Sequence, residues 1–311
     1  MTAPELIIVM PVFEDQEAAM RLFSILGQIY GKRCHIIAVD DGSVRQPVQI
    51  DWLRSALVEG SVLRLKRNVG HQRAIAVGVA HAAKWLGDQT CVVIMDSDGE
   101  DMPHSIDKLR SPLADDNVDI VVATRRSRVE TLRFKLFYQV YRHIFKLLSG
   151  RDLSFGNFMA MKPNAARRLA AMNEVGIHVA AAALNSKMRI QQMPLDRGPR
   201  YAGQSKMNFV GLALHGFKAM MVFSEDILVR VGIACTLVAI LSIFGALLAV
   251  VLKVMGYATP GWFSITVGVL FLVFLQTGAT TLMSLMLAGS IKTGTSTVKY
   301  EELIDVVFET H

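Results

Sequence analysis

Cysteine is scarce in this 311-residue chain, and the three that occur, Cys34, Cys91 and Cys235, lie far apart. No two of them form a CxxC pair, which argues against a disulfide framework or a zinc site and is typical of a reducing compartment. A secretory leader is not predicted either. The opening "MTAPELIIVMPVF" has no basic segment, and its apolar run is too short for a signal peptide. We therefore expect the first 225 or so residues to stay in the cytosol.

Two common phosphate-binding motifs are also missing. No GxGxxG follows the first predicted strand, so a dinucleotide site of the Rossmann type is not indicated. The stretch "GQIYGKR" (27–33) is one residue short of a P-loop and precedes a strand instead of following one. Phosphate groups, if this chain binds them, must be held in another way.

Hydrophobic residues make up 52% of the chain, which is high for a soluble globular protein. The excess lies near the C-terminus, where 231–252 and 254–291 carry no charged residue. A helix needs about 20 apolar residues to cross a bilayer. We predict two membrane-spanning helices, near 229–252 and 263–290, joined by a short loop. The alternative is a buried helical hairpin in a soluble core, but the apolar character extends around all faces of both helices.

Basic residues near the predicted spans indicate their orientation. Lys218 and Arg230 precede the first span and Lys292 and Lys299 follow the second, while only Lys253 lies in the loop. This bias predicts that both chain termini lie in the cytoplasm. The expected location is the cytoplasmic (inner) membrane, with the chain crossing it more than once. The net charge of +6 then suits an anionic membrane surface, and we expect no nucleic-acid partner.

The preceding part of the chain alternates strand and helix patterns. Helical spacing occurs over 15–29 and 70–86, and short β-branched runs lie at 5–13, 34–40, 61–65, 91–95 and 118–124. Alternation of this kind predicts βαβ units, so the expected fold class is α/β with a mostly parallel sheet and flanking helices. Such sheets bind ligands beyond the carboxyl ends of their strands.

Acidic residues follow the predicted strands at that edge. The segment "DSDGED" (96–101) comes directly after the apolar run "CVVIM", and "DDGS" (40–43) follows another strand. Asp96 and Asp98 can point at one cation, with Glu100 as a possible third ligand. Carboxylate oxygens suit Mg²⁺ or Mn²⁺ bridging to substrate phosphates. The alternative is a solvated acidic loop.

Several motifs together resemble the family 2 glycosyltransferases of the GT-A fold. They are "MPVFEDQE", "AVDDGS", "RNVGHQRAIAVG", "DSDGEDMP", "GNFMAMKP" and "RYAGQSKM", followed by two C-terminal spans. The pattern is most similar to the polyprenyl-phosphate glycosyltransferases, such as dolichyl-phosphate mannose synthases and bactoprenol glucosyltransferases. The resemblance implies a GT-A catalytic domain over 1–200, a juxtamembrane segment over 201–228, two spans within 229–291 and a cytoplasmic tail over 292–311.

The resemblance also implies roles for individual residues, most of them around the donor. Nucleotide-sugar contacts would come from a set spread over five motifs: Pro11, Phe13, Asp15, Asp40, Asp41, Asn68, His71, Asp96 and Ser205. Asp96, Asp98 and Glu100 would be the metal motif. Arg200, Ser205 and Lys206 would close over the diphosphate and the acceptor phosphate, with Asp98, Arg200, Lys206 and Asn157 as the catalytic set.

Two positions depart from the family pattern. His71 stands where Lys is usual, and Asn157 stands where some relatives have a proposed catalytic Asp. Asn157 cannot act as a base. A phosphate monoester has a second pKa of about 6 and is already anionic at neutral pH, so it needs positioning more than deprotonation. Asn157 therefore favours a lipid phosphate as the acceptor.

The predicted activity is an inverting, metal-dependent transfer from a UDP- or GDP-sugar to a polyprenyl (undecaprenyl) phosphate. A glycolipid synthase acting on a lipid alcohol and a non-catalytic nucleotide-sugar-binding scaffold are the alternatives. Two amphipathic segments, 133–148 and 207–223, are predicted to lie in the membrane interface or to pack on the protein itself. Small residues of the second span, Gly278 among them, face either the first span or another copy. Because relatives are often tetramers, we expect a homo-oligomer.

Overall fold

The computed structural model describes residues 4–125, 132–202, 209–257, 259–293 and 299–310. Their contacts group them into two compact units. The first is drawn from Met1–Gln139, Asp152–Val222 and Thr297–His311, and the second from Val140–Arg151 and Phe223–Ser296. The first unit contains every described residue of the site considered below.

Within the described residues, eight strands form one sheet in the first unit. The strands are β1 (Leu6–Val12), β2 (Cys34–Asp40), β3 (Glu59–Leu65), β4 (Cys91–Ile94), β5 (Ile120–Arg125), β6 (Met159–Met161), β7 (Ile190–Leu195) and β8 (Ile304–Glu309). Their order across the sheet is β7-β5-β6-β4-β1-β2-β3-β8. The β1–β2, β1–β4, β2–β3 and β5–β7 pairs are parallel, and β6 and β8 run antiparallel to their neighbours. The predicted α/β class with a mostly parallel sheet is confirmed.

The described helices alternate with these strands along the chain. They are α1 (Gln16–Tyr30), α2 (Ile50–Ser55), α3 (His71–Ala82), α4 (Ile106–Arg110), α5 (Leu132–Ser149), α6 (Pro163–Ala170), α7 (Val179–Asn185), α8 (Phe209–Val222), α9 (Ser224–Val254) and α10 (Trp262–Thr293).

Both faces of the central sheet are covered. Successive residues of β1 alternate between two buried clusters: Ile7 and Val9 pack with α3, and Leu6 and Ile8 pack with α1 around Phe23. A strand buried on both sides has no polar face, which is why β1 and β4 are continuous apolar runs in the sequence. Polar side chains are therefore left to the ends of the strands.

The C-terminal segment joins the sheet of the first unit. The tail assigned to 292–311 contributes a strand, because β8 pairs antiparallel with β3, including Val62 opposite Phe308. The strand covers an edge of the sheet that would otherwise expose unpaired backbone groups. Arg64 of β3 lies over the ring of Phe308, with 5.1 Å between the guanidinium carbon and the ring centre.

In the second unit, α9 and α10 form an antiparallel pair, and both are long and apolar enough to cross a membrane. The Thr281 hydroxyl of α10 donates to the Gly232 carbonyl of α9 at 3.4 Å. Thr281, a polar residue of the second span, thus faces the first span. This is the arrangement expected if the small and polar residues of the second span pack within the hairpin and not against another copy. In the same unit, Phe145 of α5 is buried edge-on against Phe223, so at this residue the segment 133–148 packs on the protein itself, which is one of its two expected placements.

Candidate functional site

The carboxyl ends of β1, β2 and β4 meet at one edge of the sheet, where the loops that follow them touch. The Asp41 N–H donates to the Val12 carbonyl at 2.9 Å, joining the ends of β1 and β2. His71, at the start of α3, reaches Asp96 just after β4, with 3.2 Å between Nε2 and Oδ1. The acidic segments predicted at separate strand ends are thus brought together.

Arginine side chains lie against the acidic loop that follows β4. The Arg200 guanidinium spans two carboxylates, with Nη2 2.6 Å from Asp98 Oδ2 and Nε 2.9 Å from Glu100 Oε1. Arg197 pairs with the other oxygen of Glu100 and lies 3.9 Å from Asp101. In this structure, guanidinium groups provide the positive charge that the acidic loop requires.

The backbone before α8 is fastened to the same loop. The Tyr201 N–H donates to the Asp98 carbonyl and the Gly198 N–H to the Glu100 carbonyl, each at 2.9 Å. Gly99 has a φ of +85°, and a Cβ there would lie 2.4 Å from the Tyr201 ring. Only glycine accommodates both that conformation and that contact, so the acidic loop and the arginine segment fit closely.

A chain of polar side chains connects Asp96 to the interior. The Nδ2 of Asn157 lies 3.1 Å from Nε2 of His71, and Asn157 Oδ1 accepts from Gln72 Nε2 at 3.3 Å. Gln72 is buried, and its Oε1 accepts the Val179 N–H at 2.6 Å. Gln72 therefore fixes which way the Asn157 amide faces. The structure places Asn157 beside His71 and Asp96, as a candidate site residue requires.

Burial and neighbouring charge shift the pKa values of this cluster. Desolvation, the largest single effect, would raise the pKa of Asp96, but His71 together with Arg197 and Arg200 lowers it. Desolvation raises the pKa of Asp98, and the Asp96 charge adds to this effect. For Asp101, desolvation and then the Asp96 charge raise the pKa to about 7. The carboxylates crowd one another, as expected of a site that holds a cation.

The donor atoms fit a hard divalent cation. Asp96 Oδ1 is buried and accepts no hydrogen bond, although His71 Nε2 is near. Mg²⁺ typically takes one or two carboxylates and completes its shell with water and substrate phosphates. Among the described residues, no three His, Cys, Asp or Glu side chains converge on one point. Asp96 and Asp98 suit such an ion, while both oxygens of Glu100 face arginines, and its part as third ligand stays a prediction.

The two carboxylates at the end of β2 shape loops. Asp40 is fully buried and accepts the N–H groups of Ser43 and Val48, each at 2.9 Å. Asp41 accepts those of Val69 and Gly70 at 2.7 and 3.0 Å, which positions the start of α3. With these bonds made, the geometry gives both residues a structural role at the site. Their direct contact with a nucleotide stays a prediction.

Of the remaining predicted residues, Phe13 lines a groove beside β1. Phe13 is 42% exposed and lines a cavity of about 480 Å³. Pro11 is buried within β1, Asp15 precedes α1, and Asn68 is exposed in the loop before α3. Ser205 and Lys206 lie outside the described residues.

A comparison with known families identifies the chain. The family model described as glycosyl transferase family 2 matches residues 7–176, which include the ends of β1, β2 and β4 and also Asn157. The chain belongs to glycosyl transferase family 2. It is therefore a glycosyltransferase.

Several known proteins are similar to this glycosyltransferase. The uncharacterized glycosyltransferase YkoT of Bacillus subtilis (strain 168) is 26% identical over 289 residues, covering 88% of this chain and 83% of that protein. The prophage bactoprenol glucosyl transferase homolog of Escherichia coli (strain K12) is 25% identical over 283 residues, covering 85% and 87%. Among solved structures, glucosyl-3-phosphoglycerate synthase from Mycobacterium tuberculosis in complex with Mg²⁺ and uridine-diphosphate is 14% identical, with a TM-score of 0.49 over 71% of this chain and 79% of that chain.

Sequence reasoning missed three residues of the glycosyltransferase site. Arg197 pairs with the acidic loop, and its basic side chain three positions before Arg200 was an available signal. Glu14 follows a predicted strand, but neither it nor Gln72 gave a signal of its partner. Their roles depend on partners that are distant along the chain, at Asn157 and in the loop after β2.

Proposed function

We propose that this glycosyltransferase moves a sugar from a UDP- or GDP-sugar to a polyprenyl phosphate, with undecaprenyl phosphate as the acceptor. The observation that carries the proposal is the pairing of Asp98 with Arg200 at the carboxyl end of β4. A diphosphate needs cationic groups around it, and a cation bound by carboxylates needs anions. This site provides a guanidinium group and a carboxylate that are hydrogen-bonded to each other at 2.6 Å.

The donor end is argued from the acidic loop and its arginines. Asp96 and Asp98 would hold Mg²⁺ or Mn²⁺, which when bound supplies positive charge against the leaving nucleoside diphosphate. Arg200 would exchange its carboxylate partners for phosphate oxygens, because its planar group binds either anion in the same forked manner. Lys206 is proposed to add a further charge, and Ser205 a hydroxyl. These residues would stabilise the transfer by electrostatics and positioning.

The acceptor end is argued from Asn157. Its Oδ1 is taken by Gln72, which leaves the Nδ2 side toward His71 and Asp96. An amide in this position can orient an anionic oxygen but cannot remove a proton. A lipid phosphate needs no base, so it suits the site better than a lipid alcohol, and one displacement at the anomeric carbon would invert the configuration. A relative named as a bactoprenol glucosyl transferase homolog supports this choice of acceptor.

The membrane part of the proposal rests on α9 and α10. The chain enters α9 from the first unit and, after α10, pairs β8 with β3 of the same sheet. A hairpin that leaves and rejoins one domain crosses a bilayer twice, which supports both termini on the same side. We propose the cytoplasmic side, where basic residues are expected to flank spans. The catalytic domain (1–200), juxtamembrane segment (201–228), spans (229–291) and homo-oligomeric assembly, as a tetramer, form part of this proposal.

One experiment tests the proposal directly. The purified protein is incubated with a panel of sugar nucleotides, with Mn²⁺ or with EDTA, and with either undecaprenyl phosphate or undecaprenol, and lipid products are identified by mass. We expect a hexosyl-phospholipid with one donor, only in the presence of metal. Transfer to the alcohol alone would overturn the acceptor, and nucleotide binding without turnover would favour the non-catalytic scaffold.

A further inference from the structure

Three residues that line the groove beside the end of β1, Glu14, Arg45 and Gln46, have no role so far. The groove is lined by Phe13 and Glu14 from the loop after β1 and by Arg45 and Gln46 from the loop after β2. Its volume is about 480 Å³, and the exposed ring of Phe13 forms an apolar wall. Aromatic faces of this kind stack on nucleobases regardless of base identity.

Glu14 has an unusual place in this groove. Its carboxylate accepts hydrogen bonds from three successive backbone N–H groups, those of Val44, Arg45 and Gln46, at 2.7, 2.9 and 3.1 Å. Successive N–H groups that converge in this way form a concavity that binds anions. Here the protein's own carboxylate fills it. The Glu14 N–H also donates to the Ser43 hydroxyl at 3.0 Å.

The backbone of Glu14 is strained as well. Its φ of +47° lies in the left-handed region, which side chains other than glycine, asparagine and aspartate rarely adopt. Such strain persists where the surroundings require one conformation, and it concentrates at ligand-binding sites. The backbone hydrogen bonds, first that of Arg45, hold the pKa of Glu14 below its usual value.

The loop held by Glu14 is anchored at its other side by Asp40, which accepts the N–H groups of Ser43 and Val48. Two carboxylates therefore fix the conformation of residues 43–48. Because the N–H groups of 44–46 are already bonded to Glu14, a ligand in the groove would meet the side chains of Arg45 and Gln46 instead.

We propose that Glu14 is a positioning residue for the nucleobase of the donor. It holds the 44–46 loop as a wall opposite Phe13, so that Arg45 and Gln46 select the base that stacks on the ring. This inference rests on the proposed function, since it assumes a sugar nucleotide as donor, and it adds the residue that sets affinity and selectivity at the base end.

Binding measurements on the full chain in detergent test this role. Calorimetry with Mn²⁺ compares UDP, GDP and inorganic pyrophosphate for the wild type, Glu14→Gln, Glu14→Gly and the control Glu17→Gln, which alters an exposed carboxylate on α1. Glu14→Gln keeps the shape of the side chain but places an amide N–H donor against the N–H groups of the loop. Glu14→Gly relieves the backbone strain at this positive φ but removes the carboxylate. We expect both to weaken binding of the preferred nucleotide by about tenfold and to reduce the preference between UDP and GDP.

Pyrophosphate separates positioning from general damage, since it lacks a base. Its affinity should be the same in all four proteins, and in turnover assays the Glu14 variants should raise KM for the donor more than they lower kcat. Wild-type affinity and base preference in Glu14→Gln or Glu14→Gly would overturn the inference, as would an equal loss for pyrophosphate. A wild type that binds neither UDP nor GDP would instead overturn the proposed donor.

Discussion

Replacing Arg200 by alanine should tighten the binding of a metal ion and at the same time slow the reaction. In the structure, Arg200 donates to Asp98 at 2.6 Å and to Glu100 at 2.9 Å. A divalent ion that binds Asp98 must first take the place of that guanidinium. In the Arg200→Ala variant this competition is gone, and the acidic loop is left with unbalanced charge.

The magnitude follows from the two hydrogen bonds. Each hydrogen bond to a charged group contributes about 1.5 kcal/mol at the low end, or about 3 kcal/mol for the pair. The Arg200 side chain is 28% exposed, and solvent screening reduces this sum. We therefore expect Mn²⁺ to bind nucleotide-free Arg200→Ala about 10- to 100-fold more tightly than wild type. Turnover should fall by about 100-fold or more, because a preorganised charge at the reacting phosphates is lost.

The assay is a Mn²⁺ titration of nucleotide-free protein, followed by the EPR signal of free Mn²⁺, together with steady-state turnover. Arg110→Ala is a matched control, since Arg110 pairs with Glu5 at the opposite end of the sheet. It removes the same charge and the pairs with two carboxylates, Glu5 and Asp107, without touching the acidic loop. Unchanged or weaker Mn²⁺ binding in Arg200→Ala would refute the reasoning. If Arg110→Ala tightened Mn²⁺ binding by the same factor, the effect would be one of net charge and not of competition at Asp98.

Three further predictions concern the acidic loop, the amide chain and the sheet. Asp98→Asn should lower transfer by at least about 100-fold while the thermal unfolding transition persists, and activity that survives EDTA would remove the metal from the mechanism. Asn157→Ala should lower kcat by roughly three- to tenfold, as for one neutral hydrogen bond. In Gln72→Glu, the new carboxylate still accepts the Val179 N–H but cannot donate to Asn157, so kcat should fall by a similar factor. In the double variant with Asn157→Ala, the second change should lower kcat little further. Additive losses would show that Gln72 and Asn157 act separately. Asp119→Asn breaks a forked pair with Arg189 that lowers the pKa of Asp119 to about 2. Arg189 is half exposed, and solvent screening weakens the pair, so Asp119→Asn should lower the free energy of unfolding by about 1–2 kcal/mol at pH 7. This difference in stability from wild type should shrink as the pH falls from about 4 toward 2, because Asp119 of the wild type is then protonated. A constant difference across that range in unfolding curves would contradict this account.

The sequence alone predicts the features that depend on local pattern. A strand buried on both faces must be continuously apolar, so β1 and β4 are visible as apolar runs. α9 and α10 are visible for a different reason, because their apolar stretches are long enough to cross a membrane. The acidic residues after β2 and β4 could be assigned to one edge because parallel strands end together there. Asp96 and Asp98 could be placed there because they follow a buried strand, whereas the predicted donor contact of Phe13 was implied by the family resemblance.

Tertiary structure alone decides which charges meet. Arg200 is 102 residues from Asp98 along the chain, and Gln72 is 85 from Asn157. No periodicity relates such positions, because their proximity depends on the course of every segment between them. The same holds for β8, because its partner β3 lies far back along the chain, and for Glu14. In the sequence, the position of Glu14 after a strand suggests that it binds a ligand. In the structure, its carboxylate instead accepts three backbone N–H groups from residues about 30 positions later, and it therefore helps to build the wall of the groove.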